Sequence, residues 1–249
     1  QTEYFGHLED YQVCVFDNRG IGKSEITGGN FSISMFAKDT VDLLDHLGWK
    51  KDIHIAGVSL GGMITQKVLL LDGDRFESAT LISTYHSAVF AMPTIGDLRY
   101  FLQSFTSSRD QITEHLLKLC FSKKWLNSPY TEDSTHTNRE MLMTAFNAFK
   151  HEPGESKLRQ EADMKQMQAT WWHNLNLWQM HKLGKTRART LVMHGSKDKV
   201  IRMACGRTLS LLLNSPFVLM EGSGHMIMID NHHKFNRHLR GHIENRFPD

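Results

Sequence analysis

The alternation of strand-like and helix-like segments is the feature of this sequence that most restricts its fold. Short apolar runs bounded by turn residues predict buried strands at "KKDIHIAGV", "FESATLIST", "ARTLVMHGSKD" and "PFVLMEGSGH". Between them lie segments with helical spacing, such as "SISMFAKDTVDLLDHLG", which Ser32 or Ser34 can cap and Gly48 can end, and "LGGMITQKVLLLD". Alternating strands and helices predict an α/β fold with a mostly parallel sheet flanked by helices on both faces.

A further strand is expected near the start of the chain. The segment "YQVCVFDNRG", from Tyr11 to Gly20, is a β-branched and aromatic run closed by Asp, Asn and Gly. This pattern predicts a buried strand followed by a tight turn.

The middle of the chain has a different periodicity. Between about Tyr85 and Arg187 the strand signals vanish, and helices are predicted at "DLRYFLQSF", "DQITEHLLKLCF", "REMLMTAFNAFKHE" and "ADMKQMQATWWHNLNLWQMHKL". We therefore expect a core built from residues 1–84 and 188–249, with a helical cap inserted at residues 85–187. The Met and Trp residues of "MKQMQATWWHNLNLWQM" would either form the cap core or line an apolar acyl pocket.

Composition narrows the possible partners and compartments. The chain has 249 residues and a formal net charge of +2, so its charge does not indicate nucleic-acid binding. No apolar run approaches the roughly 20 residues of a membrane-spanning helix. Three widely separated cysteines argue against a disulfide framework and favour a reducing compartment, so a cytoplasmic location is expected: Cys14, Cys120 and Cys205.

Two nucleotide-binding motifs are only partly present. Gly22-Lys23-Ser24 resembles the end of a phosphate-binding P-loop, but Asp17 stands where the motif requires glycine, and the loop-like "EITGGNF" follows. In "GVSLGG", Ser59 occupies the position of the second glycine of the dinucleotide fingerprint. Neither kind of nucleotide site is predicted.

The same stretch favours a nucleophilic serine. In "HIAGVSLGGMI", Ser59 lies between a predicted strand and a predicted helix, with Gly57 and Gly61 two positions away on each side. This G-x-S-x-G context is typical of a sharp strand-to-helix turn that exposes a serine hydroxyl, where bulky neighbours would clash. The alternative is a glycine-rich turn with no chemistry.

An activated serine needs a base and an acid, which the later strands supply in the order acid, then histidine. Asp198 follows the strand that ends near His194, and His225 follows the next strand. Carboxyl ends of parallel strands share one edge of a sheet, where open α/β sheets bind ligands. The alternatives are that Asp198 caps a helix beginning near Met203 and that His225 is a surface or packed histidine.

Taken together, "VFDNRGIGKSE", "IAGVSLGGM", "TLVMHGSKDKVI" and "GSGHM" resemble the α/β-hydrolase superfamily, in its order, from about Tyr11 to the C-terminus. The branch resembled is that of capped serine esterases, enol-lactonases and carbon–carbon hydrolases. The resemblance implies a catalytic triad of Ser59, Asp198 and His225, an oxyanion-binding N–H on Leu60, and no metal or organic cofactor. Serine at this position argues against the relatives that use aspartate there, the epoxide hydrolases and haloalkane dehalogenases.

One part of the family pattern is not matched. Family members have strands and a His-Gly loop, which supplies another oxyanion N–H, before the strand corresponding to "QVCVFD". Here "QTEYFGHLEDY" contains only Gly6-His7, in reversed order. The absent strand would lie between "QVCVFD" and "DIHIAG". We expect either that the chain is a fragment or that these two strands move together and pair.

The leading functional hypothesis is cleavage of an ester, lactone or thioester of a small to medium apolar substrate through an acyl-serine. The partner expected is thus a small-molecule or lipid-like acyl compound, and the oligomeric state is left open. Acyl transfer is an alternative, because His225 and Asp230 in "HMIMID" resemble a pattern of lipid acyltransferases; otherwise Asp230 caps the final helix. The other alternative is a ligand-binding protein without catalysis.

Overall fold

The sheet is fully parallel. The computed structural model describes residues 2–27, 29–91, 109–131, 135–149 and 157–246. Four strands lie side by side in chain order: β1 (Ile53–Val58), β2 (Phe76–Ile82), β3 (Arg189–Gly195) and β4 (Phe217–Met220). The predicted α/β class with a parallel sheet is confirmed.

Helices surround this sheet. Those in the described residues are α1 (Thr2–Gly6), α2 (Ile33–His46), α3 (Leu60–Asp72), α4 (Arg109–Cys120), α5 (Lys123–Leu126), α6 (Asn138–Phe149), α7 (Lys157–Trp171), α8 (Leu177–Gly184), α9 (Met203–Leu213), α10 (Ile227–Asp230) and α11 (His232–Ile243). In these same residues, no helix combines the length and the apolar character needed to cross a membrane.

Local signals set the ends of the first long helix as expected. The Ser32 hydroxyl accepts a hydrogen bond from the Met35 N–H at 3.2 Å, which caps α2. Gly48 follows the helix with a positive φ of 71°, a conformation that glycine adopts without a steric penalty.

Both faces of the sheet are buried. Along β3, Val192 packs into one apolar cluster, which also contains Phe36 and Val68 from the helices. Its neighbours Leu191 and Met193 point to the opposite face and pack into a second cluster, which contains residues of α11. Successive side chains of a strand alternate between faces, so one strand can supply both cores.

The prediction of a strand at Tyr11–Gly20 is wrong. Residues 11–18 have no regular secondary structure, and the Val15 side chain is 70% exposed. In the described residues β1 pairs only with β2, and a cavity of about 310 Å³ separates its free edge from residues 14–18. The expectation that "QVCVFD" and "DIHIAG" move together and pair is therefore wrong as well. An isolated extended segment has no neighbour to accept its hydrogen bonds, so the pattern alone does not make it a strand.

Between β2 and β3 the described residues are mainly helical. The helix predicted at "DLRYFLQSF" lies outside the described residues, and the division at residues 84 and 187 stays a prediction. The long helix predicted from "ADMKQ" to "MHKL" is instead two helices, α7 and α8, joined by residues 172–176. The chain leaves the helix there because the Leu175 N–H donates to the His86 carbonyl at 2.9 Å.

His173 lies in the segment that joins α7 and α8, and its burial predicts that the protein loses stability in acid. The ring is 2% exposed, and neither ring nitrogen has a hydrogen-bond partner among the described residues. Burial, with smaller effects of Lys67 and His86, lowers the pKa of His173 to about 3. The unfolded chain protonates this ring near pH 6.5, so stability is lost as pH falls from about 6.5 towards 3.

We expect His173→Phe to lose less stability than the wild type across that pH window, by an amount on the order of a few kcal/mol. Urea unfolding at a series of pH values measures the difference. His181→Phe, at an exposed position on α8, is the matched control and should follow the wild type. Equal acid losses in wild type and His173→Phe would contradict the prediction.

Candidate functional site

Ser59 lies on a strained turn between β1 and α3. Its backbone has φ 52° and ψ −114°, a region that non-glycine residues rarely adopt. Two hydrogen bonds hold it there: the Ser59 N–H donates to the Ile82 carbonyl at 2.9 Å, and the Thr84 hydroxyl donates to the Ser59 carbonyl at 2.8 Å. Such strain costs about 1–3 kcal/mol and persists only where neighbouring contacts over-determine it.

The glycines around Ser59 are not equivalent. A Cβ on Gly57 would lie 2.2 Å from the Gly61 carbonyl oxygen, so the close approach of strand and helix requires glycine at 57. A Cβ on Gly61 would meet nothing within 4 Å, so the expectation of a clash there is wrong. Gly62, which the sequence analysis did not single out, has the second close contact, because a Cβ there would lie 2.6 Å from Thr84.

Asp198 is buried, and four hydrogen-bond donors surround its carboxylate. Oδ1 accepts from the N–H groups of Val200 and Ile201, both at 2.9 Å. Oδ2 lies 2.8 Å from His225 Nδ1 and 3.1 Å from His194 Nε2. An ionised carboxylate has only acceptors, so both histidine nitrogens serve as donors to it. The alternative that Asp198 caps α9 is wrong, because Arg202 holds the cap position.

These contacts keep Asp198 charged despite its burial. Burial acts to raise its pKa, but the hydrogen bonds with His194 and His225 outweigh that effect and lower the pKa of Asp198 to about 2. The carboxylate can therefore hold the Nδ1 proton of His225 and leave Nε2 of that ring available for proton exchange.

His225 is buried in the loop after β4, and α4 contacts this loop. The His225 N–H donates to the carbonyl of Cys120, the last residue of α4, at 2.7 Å. A Cβ on Gly224 would lie 2.1 Å from that same oxygen, so glycine is needed for this approach. The structure thus brings Asp198 and His225 into direct contact. Ser59 forms no hydrogen bond with His225 here, and catalytic hydrogen bonds are often long before a substrate binds.

Two residues near this pair had no correct assignment from the sequence. His194, treated only as a strand end, is fully buried; its Nε2 also lies 2.8 Å from the Ile201 carbonyl, and its Nδ1 faces Gly206. Asp230 does not cap the final helix, because Asn231 holds that position. For His194 a signal was available in the sequence, because it lies four residues before Asp198, at the end of the strand that precedes the Asp198 loop.

Asp230 instead fixes the loop that contains His225. Its Oδ2 accepts the Gly224 N–H at 2.7 Å, one residue before His225. Burial raises the pKa of Asp230, and the hydrogen bonds from Gly224 and Ser223 offset part of that effect.

Leu60 is the first residue of α3, so its N–H has no acceptor within the helix. That position suits the predicted role of oxyanion donor. Within the described ranges, no group of three or more His, Cys, Asp or Glu side chains is arranged to hold a metal ion.

The different space around Gly57 and Gly61 predicts that alanine is tolerated at position 61 but not at position 57. Gly57→Ala should destabilise the protein by about 3 kcal/mol or more, because backbone rather than a flexible side chain blocks the new methyl group. Gly61→Ala, the matched control, should stay within about 1 kcal/mol of the wild type. Thermal unfolding of the two variants measures this; similar melting temperatures would contradict it.

The low pKa of Asp198 predicts a second acid transition. The folded state holds the carboxylate ionised down to about pH 2, whereas the unfolded chain protonates it near pH 3.9. Its contribution, about 2 kcal/mol, is therefore fully present above pH 4 and lost as pH falls towards 2. Denaturant unfolding should show a smaller loss over this window in Asp198→Asn. Asp42→Asn, which removes an exposed contact with Lys38, should lose as much as the wild type.

Comparison with known proteins identifies the fold family. The family model of the alpha/beta hydrolase fold matches residues 3–232. A protein of Azorhizobium caulinodans named as a candidate carbamate hydrolase, RutD, is 33% identical over 78 residues, which are 31% of this chain and 29% of that protein. The match thus spans less than a third of that curated relative.

Solved structures agree in fold. The enzyme Est816, described as degrading N-acyl homoserine lactones, superposes with a TM-score of 0.68 at 24% identity over 90% of this chain and 80% of its own. The enol-lactonase of Burkholderia xenovorans LB400 has a TM-score of 0.68 at 19% identity, over 92% and 79% of the two chains. At these identities the likeness shows the fold alone. Because the family match extends over all four strands and the helices between them, this chain belongs to the alpha/beta hydrolase superfamily.

Proposed function

We propose that the protein is a serine hydrolase that cleaves an ester, lactone or thioester of a small to medium apolar substrate through an acyl-enzyme on Ser59. One observation supports this most strongly: the buried, ionised Asp198 holds His225 Nδ1 at 2.8 Å, in a chain whose Ser59 lies on a strained strand-to-helix turn. An acid that orients an imidazole is the arrangement that activates a serine hydroxyl.

In the proposed reaction, Nε2 of His225 accepts the hydroxyl proton while Ser59 Oγ attacks the carbonyl carbon. The carbonyl π electrons move to oxygen, and the Leu60 N–H donates a hydrogen bond to that oxyanion. When the carbonyl re-forms, the bond to the leaving oxygen or sulfur breaks, and the leaving group takes the proton from His225. A water molecule then repeats the sequence on the acyl-serine, releasing the acid and restoring the Ser59 hydroxyl.

Asp198 has an electrostatic role in each step. Because its pKa is about 2, it remains a carboxylate while His225 becomes a cation, and it stabilises that cation without taking the proton. Removal of this orienting acid lowers turnover by about 10⁴ in serine proteases with the same arrangement.

A second candidate is a ligand-binding protein that does not turn over its ligand. It is favoured by the missing hydrogen bond between Ser59 and His225 and by Leu60 as the single oxyanion donor assigned from the sequence. Transfer of the acyl group to an alcohol or lysolipid rather than water, and a cytoplasmic location, stay predictions.

Fluorophosphonate labelling followed by intact-mass measurement tests whether Ser59 is activated. The full gene product should gain one phosphonyl group, and Ser59→Ala should gain none. Ser83→Ala is a matched control, because Ser83 also follows a strand with a positive φ, of 46°, yet is completely buried. It should label as the wild type does.

Labelling that persists in Ser59→Ala would refute the acyl-serine mechanism. Absence of labelling in a folded wild-type protein that still binds an acyl compound would favour the non-catalytic candidate. Where labelling occurs, products formed with water and an alcohol present distinguish hydrolysis from transfer.

A further inference from the structure

Helices α7 and α8 expose a group of large apolar side chains. These residues, here called the tryptophan face, have exposed fractions between 39% and 79%: Met164, Met167, Trp171, Trp172, Leu177 and Trp178. Three exposed tryptophans within eight consecutive residues of a folded chain are unusual, because exposed apolar groups of this size normally mark a site of interaction. The sequence-based expectations of a cap core or a pocket lining are wrong for these side chains.

Helix α7 packs against the rest of the protein through the side opposite to the tryptophan face. Met164, Met167 and Trp171 follow the i, i+3, i+7 spacing of a single helix face, and that face is exposed. The opposite face contains the buried Ala162 and Ala169. Small residues face the core because the backbones approach closely: a Cβ on Gly20 would lie 2.9 Å from the Ala162 Cβ. The large apolar residues are left on the outside.

The exposed residues of α8 are held by a well-formed helix start. Asn176 accepts the Gln179 N–H at 2.8 Å, and the Gln179 side chain accepts the Asn176 N–H at 3.1 Å, which completes a capping box. Leu177 and Trp178 form the first helical turn after this cap. Their exposure therefore belongs to a defined surface.

Two lysines accompany the α8 part of the tryptophan face. From Trp172 to Lys185 the sequence contains Lys182 and Lys185 but no Asp or Glu, and the next cation, Arg187, is paired with Glu77. The Lys182 ammonium lies 6.0 Å from the centre of the Trp178 ring and donates to the Leu70 carbonyl at 3.1 Å, which leaves two of its three N–H groups for a ligand. Lys185 is exposed. Tryptophan and lysine side by side suit a lipid–water boundary, where the ring enters the headgroup layer and the ammonium meets lipid phosphates.

We propose that the tryptophan face binds the surface of an anionic lipid membrane. Apolar side chains would enter the headgroup region, and Lys182 and Lys185 would add an electrostatic attraction to the lipid phosphates. The opposite signs of lysine and phospholipid favour this occupant over a second copy of the chain, whose own face would bring the same positive charge.

This surface is structurally linked to the nucleophile turn. The Tyr85 hydroxyl donates to the Thr170 carbonyl, at the end of α7, at 2.7 Å. The preceding residue, Thr84, donates to the Ser59 carbonyl at 2.8 Å. Membrane binding would thus place the Ser59 turn beside a lipid surface, although the binding itself requires no chemistry at Ser59.

Vesicle flotation with the full gene product tests the proposal. Vesicles of phosphatidylcholine mixed with phosphatidylglycerol should carry the protein to the top of the gradient, and phosphatidylcholine alone should carry much less. Trp172→Ser/Trp178→Ser should weaken binding by roughly tenfold or more, since each ring contributes buried apolar area. Raising the salt concentration should weaken wild-type binding as well, because the phosphate attraction is screened.

Two leucines offer a matched control pair. Leu177, on the tryptophan face, is 79% exposed, and Leu211, on α9, is 81% exposed. Leu177→Ser should reduce flotation severalfold, and Leu211→Ser should leave it unchanged. Lys182→Gln/Lys185→Gln, which leaves every apolar residue in place, should reduce binding to the mixed vesicles only. Circular dichroism checks that each variant is folded.

Several results would overturn the proposal. They are no flotation of the wild type, equal binding to neutral and mixed vesicles, or equal losses for Leu177→Ser and Leu211→Ser. Wild-type protein that is dimeric without lipid and becomes monomeric in the tryptophan variant would assign the face to a second copy instead. Because flotation does not depend on Ser59, failure here leaves the labelling experiment unaffected, and the reverse also holds.

Discussion

The continuation of the sheet's hydrogen bonding beyond its strands is the constraint on which the site depends. The Ser59 N–H donates to the carbonyl of Ile82, so the turn after β1 begins in register with β2. In the same way, the Ser196 N–H donates to Met220 and extends the pairing of β3 with β4 into the loop that contains Asp198. Parallel strands bring their carboxyl ends to one edge, and these extra bonds fix where each loop leaves that edge.

The burial of Asp198 shows how the loops then determine chemistry. A carboxylate removed from water is costly unless donors replace the lost solvent. Two of its donors, the N–H groups of Val200 and Ile201, come from its own loop; a third is the ring of His194, at the end of the strand before this loop, and the fourth is the ring of His225, from the loop after β4. Only the folded chain assembles this set, which is why the ionised acid and the oriented His225 ring arise together.

The helices between β2 and β3 contact the site at two places. Cys120, at the end of α4, binds the backbone of His225, while Thr170, at the end of α7, binds Tyr85 beside the nucleophile turn. Movement of these helices would therefore reach both the histidine loop and the serine turn.

Much of the site could be predicted because its signals are local. The strand, turn and helix around Ser59 and the Ser32 cap of α2 each depend on residues within a few positions of one another, which periodicity and capping chemistry describe. The order of Asp198 and His225 along the chain also followed from the sequence. The roles of His194 and Asp230 did not, although their partners lie within seven residues of them, because a sequence pattern does not tell which polar side chains a loop turns inward.

Thus the sequence by itself determined the α/β class, the ends of α2 and the positions at which chemistry is expected along the chain. The tertiary structure alone decided which segments have neighbours. Residues 11–17 have a strand-like pattern but no paired strand, so they remain irregular, because a strand is stabilised by hydrogen bonds to another strand. Helix α7 has apolar residues on two faces, and the close approach of Gly20 requires a residue as small as Ala162 on the inner face, which leaves Trp171 outside.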